Sequence, residues 1–517
     1  MANYVIVGAG SAGCVLAARL TEDPAVEVTL IEAGGADDAP EIHVPLSWTV
    51  IRKNEYDWDY TSQPEPGLDG RLVYLPRGKT LGGSSSINAM IYIRGNRADY
   101  DGWEADGAKG WSYNELLPCF RKAETNERGE DQFHGNHGPL SVSEPRTRHP
   151  LTDAFMQAAI EAGHEANPDF NGTSQDGVGF YQVTQRNGKR CSAAVAYLHP
   201  ALNRPNLKLL TEAHATRLLF NGNRATGVEI VRNGQIEEIR ADTEVILAAG
   251  AYNSPQLLLL SGIGPAADLA MLQIPVRHDL PVGVGLQDHP LVMMNWYTDT
   301  ESLMIPPTAD DVALLENEGR GLLASNGGET GAFFRTRAEL DAPDVQFHSA
   351  AIMFHGQGLD PPTAHAVSFG PTVLKPKSRG KVSLRSANPK AKPAITSNYY
   401  GEPEDRRTMI DGMRLGLEIA AQPAMRAHIK APYLVPESAS DTDIWTFVQR
   451  HTQTLYHPTC TCAIGRVVDN QLRVHGVDGL RVVDASVMPS LVRGNTNAPT
   501  IMIAERAVDL IRGAVGH

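Results

Sequence analysis

The sequence predicts an α/β fold of two interleaved units, and three observations carry that expectation. A strand, glycine turn, helix and second strand follow one another over residues 4–34. Residues 291–454 read differently, with the strand-like stretches VQFHSAAIMF and KVSLRSA and a helical pattern at 404–422. From residue 455 a glycine-containing strand pattern returns in GLRVVDASVMP and runs into a helix at about 499–513. A nucleotide site begun at residue 8 is therefore expected to be finished by the C-terminal segment.

The first element decides the chemistry. Gly8, Gly10 and Gly13 form G-x-G-x-x-G directly after the apolar run Tyr4 to Val7. The first glycine permits a tight turn, the second admits a pyrophosphate to the backbone, and the third lets helix and strand pack closely. Phosphates favour the helix N-terminus, with its free N–H groups and positive dipole end. Glu32 closes the second strand at the position where an acid binds a ribose 2′-hydroxyl. That acid disfavours a 2′-phosphate and so NADP, leaving NAD and FAD open. Because the fingerprint starts almost at residue 1, no signal segment precedes it, and a cytoplasmic enzyme is expected.

The next elements are turns and strands around that start. Residues 76–95 are a glycine and serine turn entering an apolar stretch, and Gly82-Gly83 can bring backbone close to a flat ligand. Residues 207–250 alternate in strand fashion and end in EVILAAGA, where Gly250 opens a turn. Ser254 then reads as an N-cap and Pro255 as the first helical residue. In the last helix Ile501, Ile503, Ala504, Ala507, Val508 and Ile511 form a stripe spaced for burial.

Composition excludes several function classes. Sixty acids against 46 bases give a net charge of −14, the wrong balance for a nucleic-acid binder. No apolar run is long enough to span a membrane. The five cysteines, at 14, 119, 191, 460 and 462, are too few and scattered for a disulfide framework. Cys460 and Cys462 form C-x-C without further ligands at metal spacing, so no metal is expected.

Several long motifs in order give the chain a family resemblance: GAGSAG, GKTLGGSSSIN at 78–88, GAYNSPQLLLLSGIG at 250–264, VGVGLQDHP at 282–290, HPTCTCAIG at 457–465 and VVDASVMPSLVRGNTNAPTIMIAE at 482–505. Together they resemble the glucose–methanol–choline (GMC) oxidoreductases, over essentially the whole chain. The resemblance implies FAD, bound by a Rossmann-type domain over 1–150, 195–290 and 455–517. It further implies an α+β substrate domain, built on an antiparallel sheet, over 151–194 and 291–454. Matching motif positions place Gly8, Gly10, Ser11, Ala12 and Gly13 at the pyrophosphate and Glu32 with Ala33 at the adenosine ribose. Gly83 and Gly250 belong to the cofactor turns. Asn88, Ala89, Met90 and Ile91 lie along the isoalloxazine ring, and Ala215 holds the adenine. Asp484 and Ala485 approach the pyrophosphate and ribityl chain, and Pro499 the pyrimidine edge. Ile87 stands where some members carry a histidine bonded to flavin, so the FAD is expected to be noncovalent. Gly285 replaces an asparagine frequent before LQDHP.

Alcohol oxidation needs a base for the hydroxyl proton and a hydride acceptor, which FAD supplies at N5. An imidazole suits the base, with a pKa near neutrality. His457 matches the family histidine at the flavin face, and Asn497 matches its partner, with Asn495 the competing amide. His289 reads as structural. His348 and His355 share a strand-like stretch on a sheet above the flavin, and whether either lines the pocket is left open by the sequence. Leu455 is expected near the flavin face. Relatives that oxidise choline hold its cation with an acid and an aromatic cage. Trp48 and Phe354 fall at cage positions, Tyr297 where those relatives carry the glutamate, and Gly327-Gly328 where they carry tryptophans; Asp299 or Glu329 is the nearby acid that would rescue a choline site. The expected reaction is therefore oxidation of a neutral primary alcohol, aromatic, furanic or aliphatic, to the aldehyde. Oxygen or a quinone-type acceptor would reoxidise the flavin. A choline dehydrogenase-like enzyme and a cyanohydrin lyase of the same family are the alternatives.

Overall fold

The computed structural model describes residues 2–515. Its first sheet has five parallel strands in the order Leu207–Leu210, Val26–Ile31, Ala2–Val7, Glu244–Leu247, Leu480–Val482. Counted along the chain this is 3-2-1-4-5, the doubly wound order whose switch point opens beside the first strand. Central strands buried on both faces need continuous apolar runs, and Tyr4 to Val7 and Val245 to Leu247 supply them.

The fifth strand arrives from near the C-terminus, as the interleaving expectation requires. Arg481 on that strand pairs with Glu244 at 2.8 Å, tying the late strand to the early one. The helix Asn497–Val515 then packs on the helix Ser11–Leu20. Its expected stripe is buried at Ile501, Ile503, Ala504, Ala507, Val508 and Ile511. Between the two helices the fully buried Glu505 receives Arg19 at 2.8 Å and the Tyr197 hydroxyl at 3.0 Å, so the charge is paired as burial demands.

A second sheet is antiparallel. Its main path runs Ala431–Leu434, Met294–Tyr297, Ala366–Val373, Val345–Ala350, Thr330–Phe334, Gly177–Phe180. The helix Pro403–Ala421 covers one face of it. Each sheet has its own apolar core. Among the described residues no helix is long and apolar enough to cross a membrane, and no group of three metal-ligating side chains occurs. All five cysteines are buried and free.

One local expectation fails. The helix after Gly250 starts at Gly250, not at Pro255, and runs to Leu260. Pro255 lacks the N–H that would bond the Ala251 carbonyl one turn back. The Thr461 hydroxyl donates to that carbonyl at 2.7 Å and replaces the missing bond. Ser254 still acts at the turn: its hydroxyl accepts from the Ala249 N–H at 3.0 Å and donates to Asp484 at 2.5 Å.

Candidate active site

A cavity of about 450 Å³ runs from the end of the parallel sheet to the antiparallel sheet. Its nucleotide half is shaped by glycines with different tasks. Gly8 takes φ +102°, and a Cβ there would lie 2.6 Å from the Ala248 carbonyl oxygen. A Cβ on Gly13 would lie 1.8 Å from the Gly8 oxygen, so this glycine is needed for helix–strand packing and does not face the cavity. Gly10 does face it, and a Cβ added there would meet nothing nearer than 3.9 Å. No side chain caps the helix that begins at Ser11, which leaves its first amides for an anion.

Glu32 is buried in the same wall, beside Ala33 and Ala215. Its carboxylate accepts from the Ala9 N–H at 2.9 Å and the Gly34 N–H at 2.8 Å, while burial raises its pKa. Asp484 is likewise buried and raised, and accepts from the Gly250 N–H at 2.9 Å. Gly83, Ala12 and Ala485 complete this stretch.

At the other end Asn88, Ala89, Met90 and Ile91 line the wall, with Ile87 just before them. Met90 is held at φ +59°, a strained conformation for a side-chain-bearing residue. Arg190 fixes the segment from behind, donating to the Asn88 carbonyl at 2.6 Å and to its side-chain oxygen at 2.8 Å. This arginine has no carboxylate partner among the described residues, and burial pushes it down to about 9.

His457 stands opposite, buried, with its imidazole between His289 and Asn495. Its Nδ1 is 2.9 Å from His289 Nδ1, and its Nε2 is 3.4 Å from Asn495 Nδ2. The tautomers follow from the outer partner. His289 Nε2 lies 2.9 Å from the Leu374 carbonyl, which only accepts, so that nitrogen carries the hydrogen. Burial drives His289 down to about 4, so it is neutral and its Nδ1 accepts. His457 therefore donates from Nδ1, and its unprotonated Nε2 turns its lone pair to the Asn495 amide. Burial first, then His289, His348 and Arg77, hold His457 well below the ordinary histidine range. Asp288 locks the corner, accepting from the His457 N–H at 2.8 Å and the His289 N–H at 2.9 Å. Tyr456, immediately before, sits at φ +69°.

The mouth holds a cation of its own. The Arg52 guanidinium carbon lies 4.6 Å from the Trp48 ring centre, 5.3 Å from that of Tyr456 and 5.8 Å from that of Phe354. Its Nη1 donates to the Gln357 and Gly358 carbonyls at 3.0 and 3.1 Å. Gly327 and Gly328 line the cavity without side chains, leaving room between Trp48 and Ile91.

Comparison with known proteins settles the family. The family model for GMC oxidoreductase matches residues 2–291 for its N-terminal part and 376–504 for its C-terminal part. The chain belongs to the GMC oxidoreductases. It is 44% identical to the alcohol dehydrogenase [acceptor] of Pseudomonas putida, over 99% of this chain and 96% of that one. It is 46% identical to the mitochondrial choline dehydrogenase of Homo sapiens, over 99% of this chain and 90% of that one. A formate oxidase from Aspergillus oryzae RIB40, studied for its FAD modification, superposes with a TM-score of 0.92 at 28% identity, covering 99% of this chain and 98% of that one. This GMC protein is thus an FAD-binding oxidoreductase acting on CH–OH donors, on the α/β architecture expected.

The cavity of this GMC member fits FAD: the uncapped helix and the open face of Gly10 suit a pyrophosphate, and Glu32 suits a ribose. The structure corrects three expectations. Asn497 does not pair with His457; it accepts from the Ser11 hydroxyl at 2.8 Å, and Asn495 is the amide at the imidazole. Tyr297 does not line the cavity but packs on Tyr433, ring centres 5.0 Å apart. Pro499 is buried inside the last helix, and Asn495, Thr496, Asn497 and Thr500 form the wall there. Of the two paired histidines, His348 lines the cavity, while His355 lies outside it, 3.3 Å from the Pro361 carbonyl. Leu455 does line the wall. The rescuing acids are engaged elsewhere: Asp299 pairs with Lys430 at 2.6 Å, and Glu329 is buried among Thr147, Thr152 and Ser325. Arg52 was missed altogether, since two of its three cage rings, Phe354 and Tyr456, are distant in sequence.

Proposed function

We propose that this GMC oxidoreductase oxidises a primary alcohol without positive charge to its aldehyde, using noncovalent FAD. The observation that supports this most is the unprotonated His457 Nε2, which lies with the Asn495 amide at the cavity wall. A neutral imidazole there takes the hydroxyl proton as the substrate is oxidised. His289 holds the ring in the right tautomer and does not compete for the proton. Asn495 supplies an amide N–H to the substrate oxygen. Leu291, Met293 and Leu455 keep water from the reacting end. FAD, when bound, supplies the hydride acceptor. Ile87 offers no nucleophile for a covalent link at the position where some relatives form one.

The 46% identity to a choline dehydrogenase favours a second reading, oxidation of choline itself. Arg52 weighs against it, because a fixed cation already fills the aromatic cage. A cyanohydrin lyase reading has no observation of its own. Anaerobic addition of benzyl alcohol, choline and mandelonitrile separates the three. Benzyl alcohol is expected to bleach the flavin. Bleaching by choline alone, or cleavage of mandelonitrile without bleaching, overturns the proposal. Repeating the assay with oxygen and with a quinone-type dye identifies the electron acceptor.

A further inference from the structure

Two polar groups at the cavity mouth have nothing to bond. Arg52 Nη2 and the Tyr456 hydroxyl are both buried atoms without a hydrogen-bond partner, although both residues line the cavity. They are neighbours, with the guanidinium carbon 5.3 Å from the Tyr456 ring centre. A buried donor left unpaired costs about 1–3 kcal/mol, more when charged. Two such donors on neighbouring residues make a site that is complete only when an acceptor arrives.

The sign of that acceptor follows from what already surrounds Arg52. Its only acceptors are two backbone carbonyls, and it makes no ion pair among the described residues. Asp360 also lines the cavity, but it is exposed and its ionic neighbour is His355, at 4.0 Å. Arginine only donates and stays charged at any working pH. The Trp48, Phe354 and Tyr456 rings hold the guanidinium in place by cation–π attraction, which leaves its remaining N–H groups for a ligand. Two unpaired donors on neighbouring residues, one of them permanently positive, suit a carboxylate.

We propose that Arg52 and Tyr456 form a carboxylate subsite, so that this enzyme's substrates are primary alcohols carrying a carboxylate at the end remote from the hydroxyl. The inference rests on the reading of the cavity as an alcohol site. It specifies the far end of the substrate, as His457 and Asn495 specify the near end. It also explains why the cage needs no glutamate: the charge it holds belongs to the protein, and the counter-charge arrives with the substrate.

The test compares 4-(hydroxymethyl)benzoate with benzyl alcohol on the holoenzyme, and measures benzoate binding through the flavin spectrum. The acid is expected to exceed benzyl alcohol in kcat/KM by about tenfold or more, the gain from a charged hydrogen bond made only by the acid. Arg52→Met should lower that ratio about tenfold and weaken benzoate binding by a similar factor. Tyr456→Phe should weaken it several-fold. Should Arg52→Met fail to fold, Arg52→Lys keeps the charge but loses the planar fork, and benzoate should bind at least about threefold more weakly than to the parent. An equal ratio in the parent and in Arg52→Met, or benzoate binding indifferent to position 52, overturns the subsite. If neither alcohol bleaches the flavin, the alcohol reading falls, and benzoate binding alone decides the subsite.

Discussion

Two asparagines divide the work at the head of the last helix. Asn495 faces the His457 imidazole, and Asn497 holds the Ser11 hydroxyl at the nucleotide turn. Their substitutions should therefore fail differently. Asn495→Ala should slow flavin reduction by about 10²–10³-fold, the loss of one donor to a developing oxyanion. Asn497→Ala should instead loosen the cofactor, seen as flavin lost per chain on dialysis. His457→Ala should lower the reduction rate by about 10²–10⁴ while the purified protein remains yellow. An unaltered rate would remove His457 from the proposed mechanism. Because burial holds His457 well below the usual histidine range, the base stays neutral on acidification. The reduction rate should accordingly keep its plateau through pH 6, and a limb at or above 6.5 would contradict the assignment. Most of this residue-level detail was legible from spacing: Gly8, Gly10, Gly13 and Glu32 act within a single strand–turn–helix unit. The choice between Asn495 and Asn497 was not, because it depends on where a helix begins. Arg52 was invisible for another reason: its cage joins residues 48, 354 and 456, and no local pattern links them.

The elements show the same division between local and distant causes. The helix Asn497–Val515 was readable because its buried stripe repeats with helical period. The start of the helix Gly250–Leu260 was misread, since Ser-Pro is an ordinary helix opening. What overrides it is the Thr461 hydroxyl, more than two hundred residues away, which satisfies the carbonyl that Pro255 leaves unpaired. Thr461→Val should expose that dependence. The side chain is nearly the same size but cannot donate, and a buried carbonyl without a partner costs about 1–3 kcal/mol. For a chain of this length the thermal midpoint should fall by about 1–4 °C. A midpoint identical to the parent would show that the carbonyl finds another donor.

At the scale of the whole molecule, the catalytic corner is built where the two sheets meet, and its histidines make the fold sensitive to acid. His289 is pushed down to about 4 and His348 to about 3 by burial, and His457 is lowered as well. In the unfolded chain all three titrate near 6.5. Below that pH the unfolded state binds protons that the folded state refuses, so stability falls as pH falls. For His348 alone, acidification from pH 6.5 to 5 removes about 2 kcal/mol, at about 1.4 kcal/mol per pH unit. Glu65 works in the opposite direction: burial raises it to about 7, so the folded state takes its proton first and gains stability on acidification. Glu32, Asp153, Glu244, Asp288 and Asp484, also raised by burial, act in the sense of Glu65, while His149, His164, His214 and His451, lowered chiefly by burial, act with the three histidines. His134, raised to about 9 by Asp169 and Glu124, acts on the alkaline side instead: its stabilisation is fully present below 6.5 and is lost as pH rises from there to 9. The holoprotein should therefore be most resistant to heat near pH 6.5, with the midpoint dropping towards pH 5 and also as pH rises from 6.5 to 9. His348→Gln, which cannot titrate, should flatten the acid limb by roughly one histidine's share. If the variant keeps the parent's full acid slope, His348 is not held neutral in the fold. The unpaired Nε2 at the cavity wall would then need a proton of its own, and the electrostatics assigned to His457 would have to be redrawn.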